Sequence, residues 1–140
     1  MEFDINLVVV VGAALGAYVV GALWYSVIFR KRWMAEMGYV PERMTSMRMS
    51  PEVSMALGFV TTLLMSYVMA HFIAVWGEVA GRMDVFQGFH LAFFLWLGFV
   101  MPLTMGVVLW DNKSWALFAI NTTHYLVAML VMGGILGYFA

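Results

Sequence analysis

Charged positions punctuate this chain at wide intervals, and the runs between them are long and almost wholly apolar. Ile5 to Phe29 carries no charge for 25 residues, Val53 to Gly77 for 25, Val85 to Trp110 for 26 and Ser114 to Ala140 for 27. Crossing the hydrocarbon core of a bilayer takes about 20 apolar residues as a helix. Each run therefore admits one crossing with some tilt, and none admits two. A membrane strand needs only about 9–11 residues with alternating polarity, an alternation these runs lack. Lipid cannot satisfy an open backbone. The pattern predicts an all-α integral membrane protein of four transmembrane helices in an antiparallel bundle. A single domain over 1–140 is expected, with helices at about 5–29, 53–77, 85–110 and 114–140 and an amphipathic segment at 30–52.

Composition narrows the picture in the same direction. Hydrophobic residues make up 64% and charged residues 11%, against roughly 45–50% and 25% in soluble chains. So few charges cannot cover a soluble globule, and so much apolar content excludes a disordered chain. There is no cysteine and hence no disulfide scaffold, and a net charge of −1 offers nucleic acid no basic patch. The first run is not a cleaved signal, because its start is acidic (Glu2, Asp4) and its basic cluster, Arg30-Lys31-Arg32, comes after it.

Lys and Arg set the expected orientation. Five fall between the first two helices (Arg30, Lys31, Arg32, Arg43, Arg48), one in the second connection (Arg82) and one in the third (Lys113). Both termini are expected on the non-cytoplasmic side of a bacterial cytoplasmic (inner) membrane, crossed several times. Residues 30–52 then form the sizeable cytoplasmic piece. In it Ser50-Pro51-Glu52 reads as a helix start, with a capping serine, a first-position proline and an acid in the first turn. Val40-Pro41-Glu42 predicts a short helix running to about Ser50. Trp24, Trp33, Trp110 and Trp115 fall near the cytoplasmic interface that indole rings favour. This leaves no room for a soluble catalytic domain, and no enzyme activity or cofactor is expected.

Small residues recur at spacing four, which lets helix backbones approach in lipid. Gly12 and Gly16 form one stripe on the first helix, with Ala13, Ala17 and Gly21 beside it, and Gly133 and Gly137 form another on the last. Packing within the bundle is favoured over homodimerisation. Pro102 predicts a kink in the third helix and a freed carbonyl near Gly98, to be met by a threonine or water.

Polar groups in apolar spans are the default place to seek function. No Asp or Glu lies in any of the four runs, which weighs against a proton-coupled exporter; tyrosine aside, the titratable groups there are His71, His90 and His124. Residue counting puts His71 and His90 at similar depth, where a haem or metal site is conceivable; hydrogen bonding to neighbours is favoured. His124 stands in Asn121-Thr122-Thr123-His124-Tyr125, a candidate relay or ligand contact. Met34, Met37, Met44, Met47 and Met49 cluster in the cytoplasmic segment. Copper is less favoured for them than a pliable docking face at Met44 and Met47. Phosphate loops, catalytic triads and paired carboxylates are missing from the sequence.

The run Gly21-Ala22-Leu23-Trp24-Tyr25-Ser26, followed by Phe29, Lys31, Trp33-Met34 and Gly38, resembles a known family. It is similar to the small bacterial membrane proteins catalogued as domain of unknown function 1761, with their W-Y-S-P-x-x-F-x-K-x-W-M pattern. Trp96-Leu97-Gly98-Phe99, then Trp115, Tyr125 and Met132-Gly133, fit the rest of the family pattern, while Val27 stands where the pattern has proline. The resemblance implies a membrane fold and no established substrate or cofactor. It also implies that Trp24, Tyr25, Ser26, Pro102 and Asn121 meet in the cytoplasmic half of the bundle. Three functions remain open. The favoured one is a non-enzymatic accessory or assembly subunit among membrane lipids, as a homodimer or in a larger membrane complex. The alternative is a small-molecule, ion or lipid transporter with its site at Trp24, Tyr25, Ser26, Asn121 and His124. The least favoured is a redox protein using His71 and His90.

Overall fold

The computed structural model describes residues 3–140, so Glu2 of the acidic start lies outside the described residues. Among them the regular structure is entirely helical, with no strand. Four helical stretches are long and apolar enough to cross a membrane: Leu7–Ile28, Pro51–Ala80, Val85–Leu109 and Trp115–Tyr138. They are called the first to fourth spans below.

Each span starts on a polar side chain that takes up N–H groups the first helical turn would otherwise leave unpaired. Asn6 accepts from the Val8 and Val9 N–H groups at 3.1 and 3.3 Å. Ser50 accepts from Val53 at 3.3 Å, Asp84 from Gln87 at 3.0 Å and Ser114 from Leu117 at 3.1 Å. The first span is helix α1 (Leu7–Leu23) followed by a π-turn over Trp24–Ile28. Helix α2 (Arg30–Met37) follows and stops at Gly38, whose φ of 68° suits glycine. Helix α3 covers Pro41–Thr45, and α4 (Pro51–Ala80) is the second span, ending at Gly81 with φ 78°.

One expectation for residues 30–52 is corrected here. The helix begun at Pro41 ends at Thr45, not near Ser50, and the Thr45 and Ser46 hydroxyls bond back to Glu42 and Arg43 carbonyls. Such hydroxyls compete with the helical ladder and close a short helix early. Residues 30–37 are helical although they carry the basic cluster, and Arg32 pairs with Glu36 one turn on at 2.8 Å. Glu36 also accepts a hydrogen bond from Ser114, which ties α2 to the start of the fourth span.

The third span is interrupted. Helix α5 (Val85–Leu95) leads into a π-turn over Trp96–Val100, then the short helices α6 (Met101–Thr104) and α7 (Gly106–Leu109). Pro102 explains the break, since it cannot donate to Gly98. The expected remedy differs, because the Thr104 hydroxyl bonds the Val100 and Met101 carbonyls at 3.0 Å rather than that of Gly98. The fourth span is the unbroken helix α8 (Trp115–Tyr138).

Helix α8 is the hub: its buried face packs against α1 on one side and α5 on the other. The glycine stripe of α8 makes the second contact backbone to backbone. A Cβ on Gly133 would lie 2.5 Å from the Gly88 carbonyl oxygen, and one on Gly137 would lie 2.5 Å from that of Asp84. Gly16 meets α8 through side chains instead, with the Ile135 and Val131 methyls 3.0 and 3.2 Å from a would-be Cβ. Gly12 does not belong with them: it has nothing within 4 Å of a would-be Cβ, so it packs no neighbour in this bundle. Between α1 and α4 the join is polar. Fully buried Ser66 donates to the Val10 carbonyl at 2.8 Å, and Tyr18 donates to that of Met55 at 3.0 Å.

Candidate binding site

Where the α1 ladder widens into a π-turn, the Phe29 N–H reaches back five residues to Trp24 at 2.8 Å. The wider turn reduces the rotation between neighbouring residues, so Trp24 and Tyr25 both address α8. The Trp24 indole donates to the Ile120 carbonyl at 3.0 Å, and the Tyr25 hydroxyl donates to Asn121 Oδ1 at 2.8 Å. No proline is needed: Val27 holds that place and the π-turn forms on the tryptophan and tyrosine anchors.

The third span repeats the device. Its π-turn also opens on a tryptophan, and the Trp96 indole donates to the Thr122 carbonyl at 2.8 Å. Two indoles thus grip α8 on either side of Asn121. Trp96 is prominent in the sequence pattern as a conspicuous aromatic, but nothing in spacing alone marks it as a hydrogen-bond donor to α8.

His124 lies one turn beyond this clamp. Its ring is 4.9 Å from those of Tyr25 and Tyr125 and 6.4 Å from that of Trp24. Gly21 does not pack a helix backbone here. It makes room for the imidazole, since a Cβ would come within 3.0 Å of Nε2. His124 Nδ1 is buried with no hydrogen-bond partner in the protein. Ser26 turns back to the Ala22 carbonyl.

These side chains edge a cavity of about 730 Å³ between α1, α4 and α8. Its polar lining comes from Tyr18, Tyr25, Ser26, Thr61, Thr62, His124 and Tyr125, and its methionines are Met55, Met65, Met129 and Met132. No Asp, Glu, Lys or Arg lines it. A concave, mainly apolar space of about 300–1,000 Å³ with a few convergent polar groups is what small-molecule sites look like. Of the predicted cluster, Tyr25, Ser26 and His124 line the cavity, whereas Trp24 and Asn121 brace it from outside the lining. Pro102 is absent from it. Thr61, Thr62 and Tyr18 escape sequence reading, because residue counting gives depth but not which face a helix turns inward.

The other candidates stand apart. His71 Nδ1 bonds the Tyr67 carbonyl at 2.9 Å, and its ring packs on Tyr67 at 4.6 Å. His90 is exposed and packs on Phe94 at 4.9 Å. Each histidine thus engages its own helix. No group of three or more His, Cys, Asp or Glu side chains able to hold a metal ion occurs among the described residues. Met44 and Met47 are exposed at 47% and 49%, in and just after α3.

A family model described as "Protein of unknown function (DUF1761)" matches residues 8–137. No curated protein and no solved structure matches the chain.

Proposed function

The chain belongs to the DUF1761 family, and we propose that it is a membrane-embedded, non-enzymatic protein that binds and hands on a small molecule. In this reading the four spans run in alternating directions through a cytoplasmic membrane, with both termini outside and α2 and α3 at the inner face. The observation that carries it is the cavity of about 730 Å³ with Tyr25 and His124 in its lining. That cavity moves the balance from an accessory subunit toward the carrier alternative. Helices that served only to pack would close such a groove between α1, α4 and α8, because a gap between them forfeits packing contacts.

Mass spectrometry of small molecules co-purifying with the protein in mild detergent tests this. Gly58 lines the cavity, and a Cβ there would come no nearer than 4.0 Å to Tyr18. A side chain can therefore leave Gly58 without a clash at its Cβ, and Gly58→Phe is the variant that narrows the cavity. A compound bound to the wild type and lost from Gly58→Phe is the expected result; identical extracts from both contradict the reading.

The accessory role keeps one observation of its own, the exposed methionines beyond the spans. If Met44 and Met47 dock a larger membrane complex, Met44→Glu with Met47→Glu releases it on co-purification. Undiminished co-purification removes that role.

A further inference from the structure

The hydrogen-bond bookkeeping of the cavity identifies what it takes. Five hydroxyls on its wall have already spent their protons. Tyr18 donates to Met55, Tyr25 to Asn121, Ser26 to Ala22, and both Thr61 and Thr62 to Gly58. A hydroxyl whose proton is committed still offers lone pairs. The wall is therefore rich in acceptors, and it carries no charged side chain. Tyr125, whose hydroxyl has no partner among the described residues, supplies the donor that is left on the wall.

Along α4 and α8, Met65, Met129 and Met132 lie one to two turns beyond Thr61, Thr62, His124 and Tyr125, while Met55 lines the cavity on the other side of the threonines. Residues 124 and 132 of α8 are about 12 Å apart at 1.5 Å per residue. Methionine walls adapt to apolar chains of varied shape.

We infer that the cavity takes an uncharged amphiphile bearing a hydroxyl, its hydroxyl among the Tyr25, Thr61 and Thr62 oxygens and its apolar body along the methionines. This rests on the small-molecule reading above and names the ligand class. A hydroxyl both donates to the acceptor wall and accepts from Tyr125. A carboxylate or phosphate meets lone pairs with no cation beside them, and a buried charge without a partner is strongly disfavoured. An ammonium finds aromatic rings and oxygens but no counter-carboxylate.

The test is native mass spectrometry of the full chain released from phosphatidylcholine nanodiscs holding equal mole fractions of four probes of one chain length. These are tetradecanol, tetradecyl methyl ether, tetradecanoate and tetradecyltrimethylammonium. Tetradecanol is expected to be retained about tenfold over each of the others, as one well-placed hydrogen bond predicts. Thr61→Val and Thr62→Val remove acceptors at nearly constant volume, and each is expected to lower tetradecanol retention severalfold while leaving the ether unchanged. Equal retention of alcohol and ether, with both lost in Gly58→Phe, overturns the hydroxyl assignment and leaves the pocket reading standing. Preference for either ion, likewise lost in Gly58→Phe, overturns it in the same way. Retention of no probe, or retention indifferent to Gly58→Phe, overturns both.

Discussion

Ser66 and Gly133 hold helices together by opposite means, and their substitutions separate the two. Ser66 is fully buried, and its hydroxyl bridges α4 to the Val10 carbonyl. Hydrogen bonds between membrane helices average about 0.6 kcal/mol and reach about 1.7 kcal/mol. Ser66→Ala is therefore expected to destabilise by roughly 1 kcal/mol in a denaturation series in mixed micelles. Gly133 contributes by what it lacks. An added Cβ would sit 2.5 Å from the Gly88 carbonyl and 2.7 Å from the Ala92 Cβ, neither of which is a flexible chain end. Gly133→Ala should force α5 off α8 and cost more than Ser66→Ala, at or above the roughly 1–3 kcal/mol of an overpacked core. Gly12→Leu, with open space around it, should leave the same denaturation midpoint unmoved. A Gly12→Leu variant as damaging as Gly133→Ala would place the helix contacts elsewhere. The sequence carries both glycine pairs at the same spacing, so spacing alone cannot rank them; only the partner surface can.

At the scale of elements, the spans are legible because each begins with its own cap. Asn6, Ser50, Asp84 and Ser114 stand at the four starts, and charge-free runs fix what lies between. The break in the third span is legible in Pro102, whereas the π-turn at Trp24 carries no such local mark: there the indole reaches a carbonyl of α8, a tertiary contact. Helix α2 carries the basic cluster and is steadied by the Arg32–Glu36 pair. Among the caps Asp84 gives a pH signature. The Gln87 backbone N–H, and after it the Arg82 guanidinium, hold its carboxyl below the usual carboxylate value. A lowered folded value means that the stabilising contribution is present above the unfolded value, about pH 3.9. It is lost as pH falls through the lower folded value. Amide exchange at Phe86–Gly88 is expected to speed up in the wild type over that window, whereas Asp84→Asn, which still caps, stays level. An equal acid response in both proteins would assign the change to another group.

For the whole molecule, the two sources of the site were unequal. Tyr25, Ser26 and His124 could be found in the sequence, since polar groups in apolar runs stand out and the family pattern points to the first two. Thr61 and Thr62 could not, because a hydroxyl bonded to the preceding turn of its own helix is cheap in an apolar setting and draws no notice. It takes the splay of α4 from α8, with α1 bridging both, to turn those ordinary threonines into a wall. The account stands on that open space. The chain has no cysteine, so a single one can report on it. Thr62→Cys faces the cavity, and Val60→Cys, at a position 57% exposed and outside the lining, is its control. The measurement is the labelling rate of each by a small maleimide, with and without Gly58→Phe. The cavity predicts that Gly58→Phe slows labelling at residue 62 about tenfold, as steric exclusion from a filled site requires, and leaves residue 60 unchanged. Equal labelling of Thr62→Cys in both backgrounds would contradict it.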